Sequence, residues 1–418
     1  MDKIRIEGGQ TLKGRVTIGG AKNAVLPAMT ASLLTDEPIV LTNVPDVWDV
    51  GTMRRLLTEL GVRVEAPDSN SLKLHMPELR SYEAPYELVK TMRASVMVLG
   101  PLAARHGKAR VSLPGGCSIG ARPIDFHISA LEKLGAKVKL EHGFVDATAS
   151  GLQGTEVYFD DVTVTGTENI LMAACLAQGV TVLQNCAEEP EVVDLALLLN
   201  KMGARIEGAG TRTIHVEGVE RLHGAQHDVI PDRIEAGTYL AAGALTGEEV
   251  LVDNCNPEHL AAVIDKLQEL GVTVEPSESS VRIHRAQPFR PAKLKTLPYP
   301  GFPTDMQAQL MVLLTQAQGT SVISETIFEN RFMHVSELNR MGANVALDGH
   351  TAVVKGPTPL SAAKVMATDL RASACLVLAG LIAEGQTVID RVYHLDRGYE
   401  HIEEKLAGLG AKIERLKR

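Results

Sequence analysis

The sequence predicts an α/β protein of two domains, built from six repeats of about 70 residues, three to each domain. One observation is a phrase that recurs six times: LTELGVRVE, LEKLGAKVK, LNKMGARIE, LQELGVTVE, LNRMGANVA and LAGLGAKIE. Its glycines, Gly61, Gly135, Gly203, Gly271, Gly342 and Gly410, are spaced 74, 68, 68, 71 and 68 residues apart. A second phrase of small and apolar residues precedes each copy, as in ILMAACLAQGVTVL and CLVLAGLIAEGQTVI. The third is length: 418 residues exceed one comfortable core and suit two or three domains at roughly 150 residues each.

The elements follow from the phrases. The Leu-Leu/Met-Gly ending places a glycine at the C-terminus of an amphipathic helix, where the chain turns left-handed, and the alternating residues after it read as a strand. The Ala- and Gly-rich phrase reads as a helix apolar all round, hence buried, and the β-branched residues that follow it read as a strand. Each repeat therefore reads helix, strand, helix, strand, strand. Three repeats per domain put the boundary near HGAQHDVIPDR. With aromatics at 4%, the core must be built from Ala, Leu, Val and Ile.

Composition excludes several functions. With 42 Lys plus Arg against 51 Asp plus Glu, the net charge of −9 argues against a nucleic-acid partner, which needs a broad basic face. The longest apolar run, Ala374 to Ala383, is half of the ~20 residues that span a bilayer, so no membrane partner is expected. The start, MDKIRIEGG, lacks an apolar signal core, which reads as cytoplasmic. The five cysteines form no CxxC or Cys/His metal spacing, and no metal site is expected. Cys175, Cys186, Cys255 and Cys375 lie in apolar or strand-like stretches and read as buried thiols.

Aligned on the repeat, certain polar residues depart from core logic. At the starts of the first helices stand Lys22-Asn23, Arg93, Thr167-Glu168-Asn169, Asp232-Arg233, Thr304-Asp305 and Asp369-Leu370-Arg371. Thr304, Asp305 and Asp369 fit N-caps or first-turn acids. Lys22, Arg93 and Arg371 oppose the helix dipole, and cations are tolerated there when an anion sits between them and the free amides. Arg122, Arg331 and Arg397 precede the second helices. Six cations converging in an acidic protein predict an interdomain cleft for a small polyanionic substrate. The glycine-rich stretch 114–123 carries Cys117 beside Arg122, and a thiol there is a candidate nucleophile or proton donor. Asp305 is the candidate base, or a simple cap. There is no GxxxxGK[ST], convincing Rossmann fingerprint or HExxH.

KNAVLP at 22–27, RASVMVLGPLAA at 93–104, LPGGCSIGARPIDFHISALEKLGA at 113–136, EPEVVDL at 189–195 and GFPTDMQAQ at 301–309 resemble the enolpyruvyl transferase family. So do ENRFMHVSEL at 329–338, DLRASACLVLAGL at 369–381 and HLDRGYE at 394–400, and the resemblance is to the branch acting on UDP-N-acetylglucosamine. The match runs essentially end to end. It implies the enolpyruvyl transferase fold, an inside-out α/β barrel of two domains. Residues 22–229 would form the first, with the Cys117 loop. Residues 1–21 and 230–418 would form the second, with Asp305, Arg331, Arg371 and Arg397, and the active site would lie in the cleft.

The resemblance implies transfer of enolpyruvyl from phosphoenolpyruvate to the 3′-hydroxyl of UDP-N-acetylglucosamine through a tetrahedral ketal, with no cofactor and no obligate protein partner. This is the first committed step of peptidoglycan precursor synthesis. Cys117 would protonate C3 of phosphoenolpyruvate and form a phospholactoyl thioether, while Asp305 orients or deprotonates the sugar hydroxyl. Lys22, Arg122 and Arg397 would hold phosphate and carboxylate, with Arg331, Asp369 and Arg371 nearby and Asn23 on the tetrahedral intermediate. Arg93, Arg122, Pro123, Ile124, Asp125, Phe126, Thr163, Val164, Thr165, Asp305 and Ile327 would contact the nucleotide sugar. The Cys117 loop and the Lys-Asn pair argue against 5-enolpyruvylshikimate-3-phosphate synthase. Retention of Cys117, Asp305 and the cations argues against a non-catalytic nucleotide-sugar sensor. The net charge argues against an RNA-end-processing enzyme on a related fold.

Overall fold

The computed structural model describes residues 2–113, 124–285 and 288–417. Cys117, Arg122 and Pro123 lie outside the described residues. Among the described residues, six four-stranded sheets share one order. In the repeat of helix Val164–Ala174, strand Glu156–Tyr158 runs parallel to Val180–Gln184. That strand pairs antiparallel with Thr213–Glu217, which pairs antiparallel with Arg205–Glu207. The buried helix is thus the crossover that two parallel strands require.

The leading parallel strand is what the sequence reading leaves out. Its copies include Glu83–Ala84, Glu156–Tyr158, Lys293–Lys295 and Lys364–Met366, too short for an alternating pattern to be legible. Two copies come from far along the chain. Leu12–Thr17 pairs parallel with Gly247–Asp253, and Gln226–Asp228 with Ile39–Thr42. Lys3–Glu7 lies between Gln386–Asp390 and Lys412–Leu416, antiparallel to both.

The chain forms two compact units, whose described residues fall in 20–113 and 124–230 for one, and in 2–19 and 231–417 for the other. Each has its own hydrophobic core. In the second, every residue of helix Gln307–Thr315 is buried, as is Arg233–Thr246 from Ile234 onward, and these helices pack on Leu370–Ile382. In the first, helices Leu99–His106 and Val164–Ala174 pack closely. A methyl on Gly100 would stand 2.4 Å from the Asn169 carbonyl oxygen, so the small-residue helix surface sets the approach. Among the described residues no helix is long and apolar enough to cross a membrane.

All six phrase glycines have positive φ, from +93° to +119°, which stops the helix and turns the chain into the next strand. A second device recurs where the first long strand of a repeat ends. Asn43, Asn185 and Asn254 have φ of 55°, 57° and 54°. Their side-chain amides donate to the carbonyls of Val229, Phe159 and Ile18, just past the leading strand, at 2.8, 2.8 and 2.7 Å. Each strap ties together the two parallel strands on either side of a buried helix.

The helix-end glycines differ in what surrounds them. At Gly61 an added Cβ would lie 2.5 Å from the Glu78 carbonyl oxygen, whereas at Gly135 nothing lies within 4 Å. Gly135→Ala should therefore lose only the left-handed backbone preference, about 1–2 kcal/mol, and Gly61→Ala clearly more. Urea unfolding checks this, and equal losses would refute the steric part of the account.

Candidate active site

In the unit built around 20–230, the sequence-predicted residues stand at helix starts. Lys22 opens helix Lys22–Thr30, and its Nζ lies 3.2 Å from Asp49 Oδ2, in the first turn of Trp48–Leu60. The two side chains are only 13% and 4% exposed, so at least one of the cations that seemed to await a ligand has a counter-ion of its own. Sequence reasoning did not single out Asp49; its signal is the acid in WDVG at a helix start. Asn23 follows, half-buried, and Arg93 opens a 3₁₀ turn, Arg93–Val98, also half-buried. Ile124 is buried ahead of helix Asp125–Lys133, where Asp125 is exposed and Phe126 half-buried. Thr163 caps Val164–Ala174, its Oγ1 accepting the Gly166 amide at 3.2 Å, with Val164 and Thr165 half-buried in the first turn.

Behind these starts lies a buried polar pair. Asn169 Oδ1 accepts the Gly100 amide at 2.8 Å, so its NH₂ is the donor to His127 Nδ1 at 2.8 Å and to the Val96 carbonyl at 3.2 Å. His127 is thereby fixed as the neutral ring protonated on Nε2. Burial, and then the nearby Arg93 charge, lower its pKa to about 4. The pair locks helix Asp125–Lys133 to the segment that Arg93 opens.

In the other unit, Asp305 sits within the 3₁₀ turn Thr304–Met306. Its Oδ1 is 2.8 Å from Arg331 Nη2, and its Oδ2 is 3.0 Å from Arg371 Nη2 and 3.1 Å from Nε. The expectation of a simple cap is therefore incomplete: this carboxylate is the counter-ion of two guanidiniums that are 6% and 2% exposed. Asp369 does cap, its Oδ1 accepting the Arg371 and Ala372 amides at 2.9 and 3.0 Å. Burial works against the Arg371 charge, but Asp305 first, then Tyr399 and Asp232, outweigh it and hold its pKa above the ordinary value. Burial raises the Tyr399 pKa against the opposing Arg371 charge, so the phenol keeps its proton. That hydroxyl lies 2.8 Å from Thr238 Oγ1 and accepts from Gln309 Nε2 at 3.2 Å. Arg397 ends the 3₁₀ turn Val392–Arg397, half-buried, and Ile327 is half-buried after strand Gly319–Ser324. Tyr399, Thr238 and Gln309 were missed because the hydrogen bonds that join them link residues 71 or more positions apart.

Chemically, each arrangement is a low-dielectric nest of charges at helix starts. In the second, a carboxylate is held rigidly beside two cations that can share an anionic ligand.

Two units, each of three repeats around buried helices, form the fold of the enolpyruvyl transferases. Residues 6–406 match the family model described as EPSP synthase (3-phosphoshikimate 1-carboxyvinyltransferase). The structure resembles the enolpyruvyl transferase NikO from Streptomyces tendae with a TM-score of 0.89 at 28% identity, covering 100% of this chain and 99% of that one. It shares its fold with the EPSP synthase of Acinetobacter baumannii, at a TM-score of 0.77, 18% identity and 100% of both chains. UDP-N-acetylglucosamine 1-carboxyvinyltransferase of Koribacter versatilis is 60% identical over 100% of this chain and 97% of its own. That of Solibacter usitatus is 59% identical over 100% of both. The chain belongs to the EPSP synthase family and, within it, to the UDP-N-acetylglucosamine 1-carboxyvinyltransferases.

His127 gives the first unit a defined acid sensitivity. Its folded pKa of about 4 lies below the ordinary 6.5, so on acidification the unfolded chain takes up the proton first. Stability is intact above about pH 6.5 and falls as pH drops toward 4, by up to about 1.4 kcal/mol per unit from this group. In His127→Gln, urea unfolding across that window should show a correspondingly shallower loss; an unchanged slope would refute the assignment.

Proposed function

We propose that the protein transfers the enolpyruvyl group of phosphoenolpyruvate to the 3′-hydroxyl of UDP-N-acetylglucosamine, releasing phosphate, as the first committed step of peptidoglycan precursor synthesis in the cytoplasm. The full-length relationship to carboxyvinyltransferases of that name supports the substrates. The clamp of Asp305 between Arg331 and Arg371 supports the chemistry most directly.

The reaction is an addition followed by an elimination. Cys117 delivers a proton to C3 of phosphoenolpyruvate, which leaves C2 electron-poor. The sugar oxygen adds to C2 and its proton passes toward Asp305, giving a tetrahedral ketal that still carries phosphate. Loss of a C3 proton then expels phosphate and restores the double bond in the product. Lys22, Arg122 and Arg397 hold the phosphate and carboxylate, and Asn23 contacts the intermediate. Cations fixed in a poorly solvated site stabilise the growing charge on the leaving phosphate without having to reorganise.

The clamp makes a specific contribution to the middle step. A carboxylate shared by two guanidiniums is a weak base. When the carboxylate or phosphate of a bound substrate draws on Arg331 and Arg371, Asp305 regains electron density at the moment the sugar hydroxyl needs an acceptor. Arg93, Ile124, Asp125, Phe126, Thr163, Val164, Thr165 and Ile327 position the nucleotide sugar, and Asp369 holds the start of the helix that carries Arg371.

Phosphate release from phosphoenolpyruvate should depend on UDP-N-acetylglucosamine and be abolished in Cys117→Ala. Cys117→Asp should keep part of it, because a carboxylic acid replaces the proton donor without forming a thioether. Release with shikimate-3-phosphate instead, or full turnover in Cys117→Ala, would refute the reading. Separately, Asp305→Asn should lower kcat by about 10²–10⁴-fold, the range for a lost general acid–base group, and a variant within a few-fold of wild type would remove Asp305 from the proton path.

A further inference from the structure

The six repeats allow an internal comparison at one position, the residue that follows the first long strand. Three repeats place Asn43, Asn185 and Asn254 there, each donating to a carbonyl just past the leading strand. In the repeat of helix Gln307–Thr315 the long strand is Gly319–Ser324, and the next residue is Glu325. The residue just past its leading strand is Thr296, whose amide donates to the Ser324 carbonyl at 3.0 Å, as that of Phe159 does to Gln184. An acid has replaced the amide, so a donor has become an acceptor.

Glu325 is 1% exposed, where a carboxylate must be compensated. Its Oε1 accepts from the Thr296 hydroxyl at 2.8 Å and from the Ile327 and Phe328 amides at 2.8 and 3.2 Å. Its Oε2 accepts from the Thr304 hydroxyl at 2.8 Å. The strap function has passed to Thr326, whose hydroxyl donates to the Thr296 carbonyl. A carboxylate is not needed to tie the strands, since three other repeats tie them with an amide.

We infer that Glu325 is a positioning residue for the transfer reaction, acting through Thr304 on Arg331 and Asp305 and through the Ile327 amide on the nucleotide-sugar contact. This rests on the proposed function for its kinetic consequence, though not for its geometry. A hydroxyl has one proton. Given to Glu325, it leaves Thr304 Oγ1 to present a lone pair to Arg331 Nη1, 3.2 Å away, while Nη2 of the same guanidinium holds Asp305. The acid thus fixes the polarity of the hydroxyl, the hydroxyl fixes the plane of the guanidinium, and the guanidinium fixes one oxygen of Asp305.

Glu325→Gln tests the polarity with little change of shape. With its single oxygen kept by the loop amides, its NH₂ faces Thr304, whose hydroxyl must turn to accept, so that its proton is no longer held away from Arg331 and the bond to the guanidinium weakens. Glu325→Gln and Thr304→Val should each lower kcat/KM by about tenfold or more, the scale of one hydrogen bond to a charged group. The double variant should be no worse than the poorer single variant, and Thr304→Ser, which keeps the hydroxyl, should retain wild-type kcat/KM. Additive losses, wild-type kcat/KM in Glu325→Gln, or equal activity of Thr304→Ser and Thr304→Val would overturn the relay. If Glu325→Gln fails to fold, the two Thr304 variants decide alone.

A wild type that releases no phosphate with UDP-N-acetylglucosamine would defeat the proposed function but leave the relay testable. A crystal structure of Glu325→Gln should show the Thr304–Arg331 bond lengthened beyond its 3.2 Å or lost whatever the acceptor proves to be, and an unchanged bond would overturn the inference.

Discussion

A helix surrounded by protein on every side can offer polar groups to a ligand only at its ends, and this constraint organises the molecule. The sides of helices such as Gln307–Thr315 and Leu370–Ile382 are largely committed to hydrocarbon contact, with a few internally hydrogen-bonded polar groups such as the Gln309 amide. The four amides of a first turn remain, with the residues that satisfy or oppose them. Lys22, Arg93, Thr163, Asp305, Asp369 and Arg371 all stand at such starts. Because the repeats are alike, each unit offers several equivalent starts that differ in side chain. A pseudo-symmetric scaffold has thereby become an asymmetric set of charges.

Those charges are less naked than a count of arginines suggests. Lys22 has Asp49, and Arg331 and Arg371 share Asp305. Buried pairs of this kind contribute little to net stability, since the desolvation of both partners offsets most of their attraction. What they secure is placement. A guanidinium with a fixed partner waits in one orientation, and a ligand anion entering beside it meets a site that is already ordered.

The repeat was legible in the sequence because left-handed helix ends select glycine, so Gly61 through Gly410 mark a backbone requirement and not a side-chain preference. The starts of the buried helices were legible because Lys22, Arg93 and Arg371 violate dipole logic. Three things were not legible. Leading strands such as Glu83–Ala84 have no periodicity to detect. The straps of Asn43, Asn185 and Asn254 join residues up to 236 positions apart. The counter-ions did not stand out, since Asp49 reads as an ordinary first-turn acid and the place of Asp305 between two arginines depends on tertiary contacts. Cys117 and Arg122, singled out by composition and by resemblance, fall outside the described residues.

The arm formed by Lys3–Glu7 and Leu12–Thr17 sets an order on biosynthesis. A ribosome delivers these strands before anything they pair with, and Gly247–Asp253, Gln386–Asp390 and Lys412–Leu416 emerge hundreds of residues later. The unit from 20 to 230 has all its strands within itself and can close while translation continues. Leu12–Thr17 must stay unpaired until Gly247–Asp253 is made, and Lys3–Glu7, with its strand edges available to any other extended chain, until the last sheet is made. The first strand therefore takes part in the latest folding event: a nascent chain stalled before Gly247–Asp253 carries two orphan strands, and one stalled later but before the last repeat still carries Lys3–Glu7 unpaired.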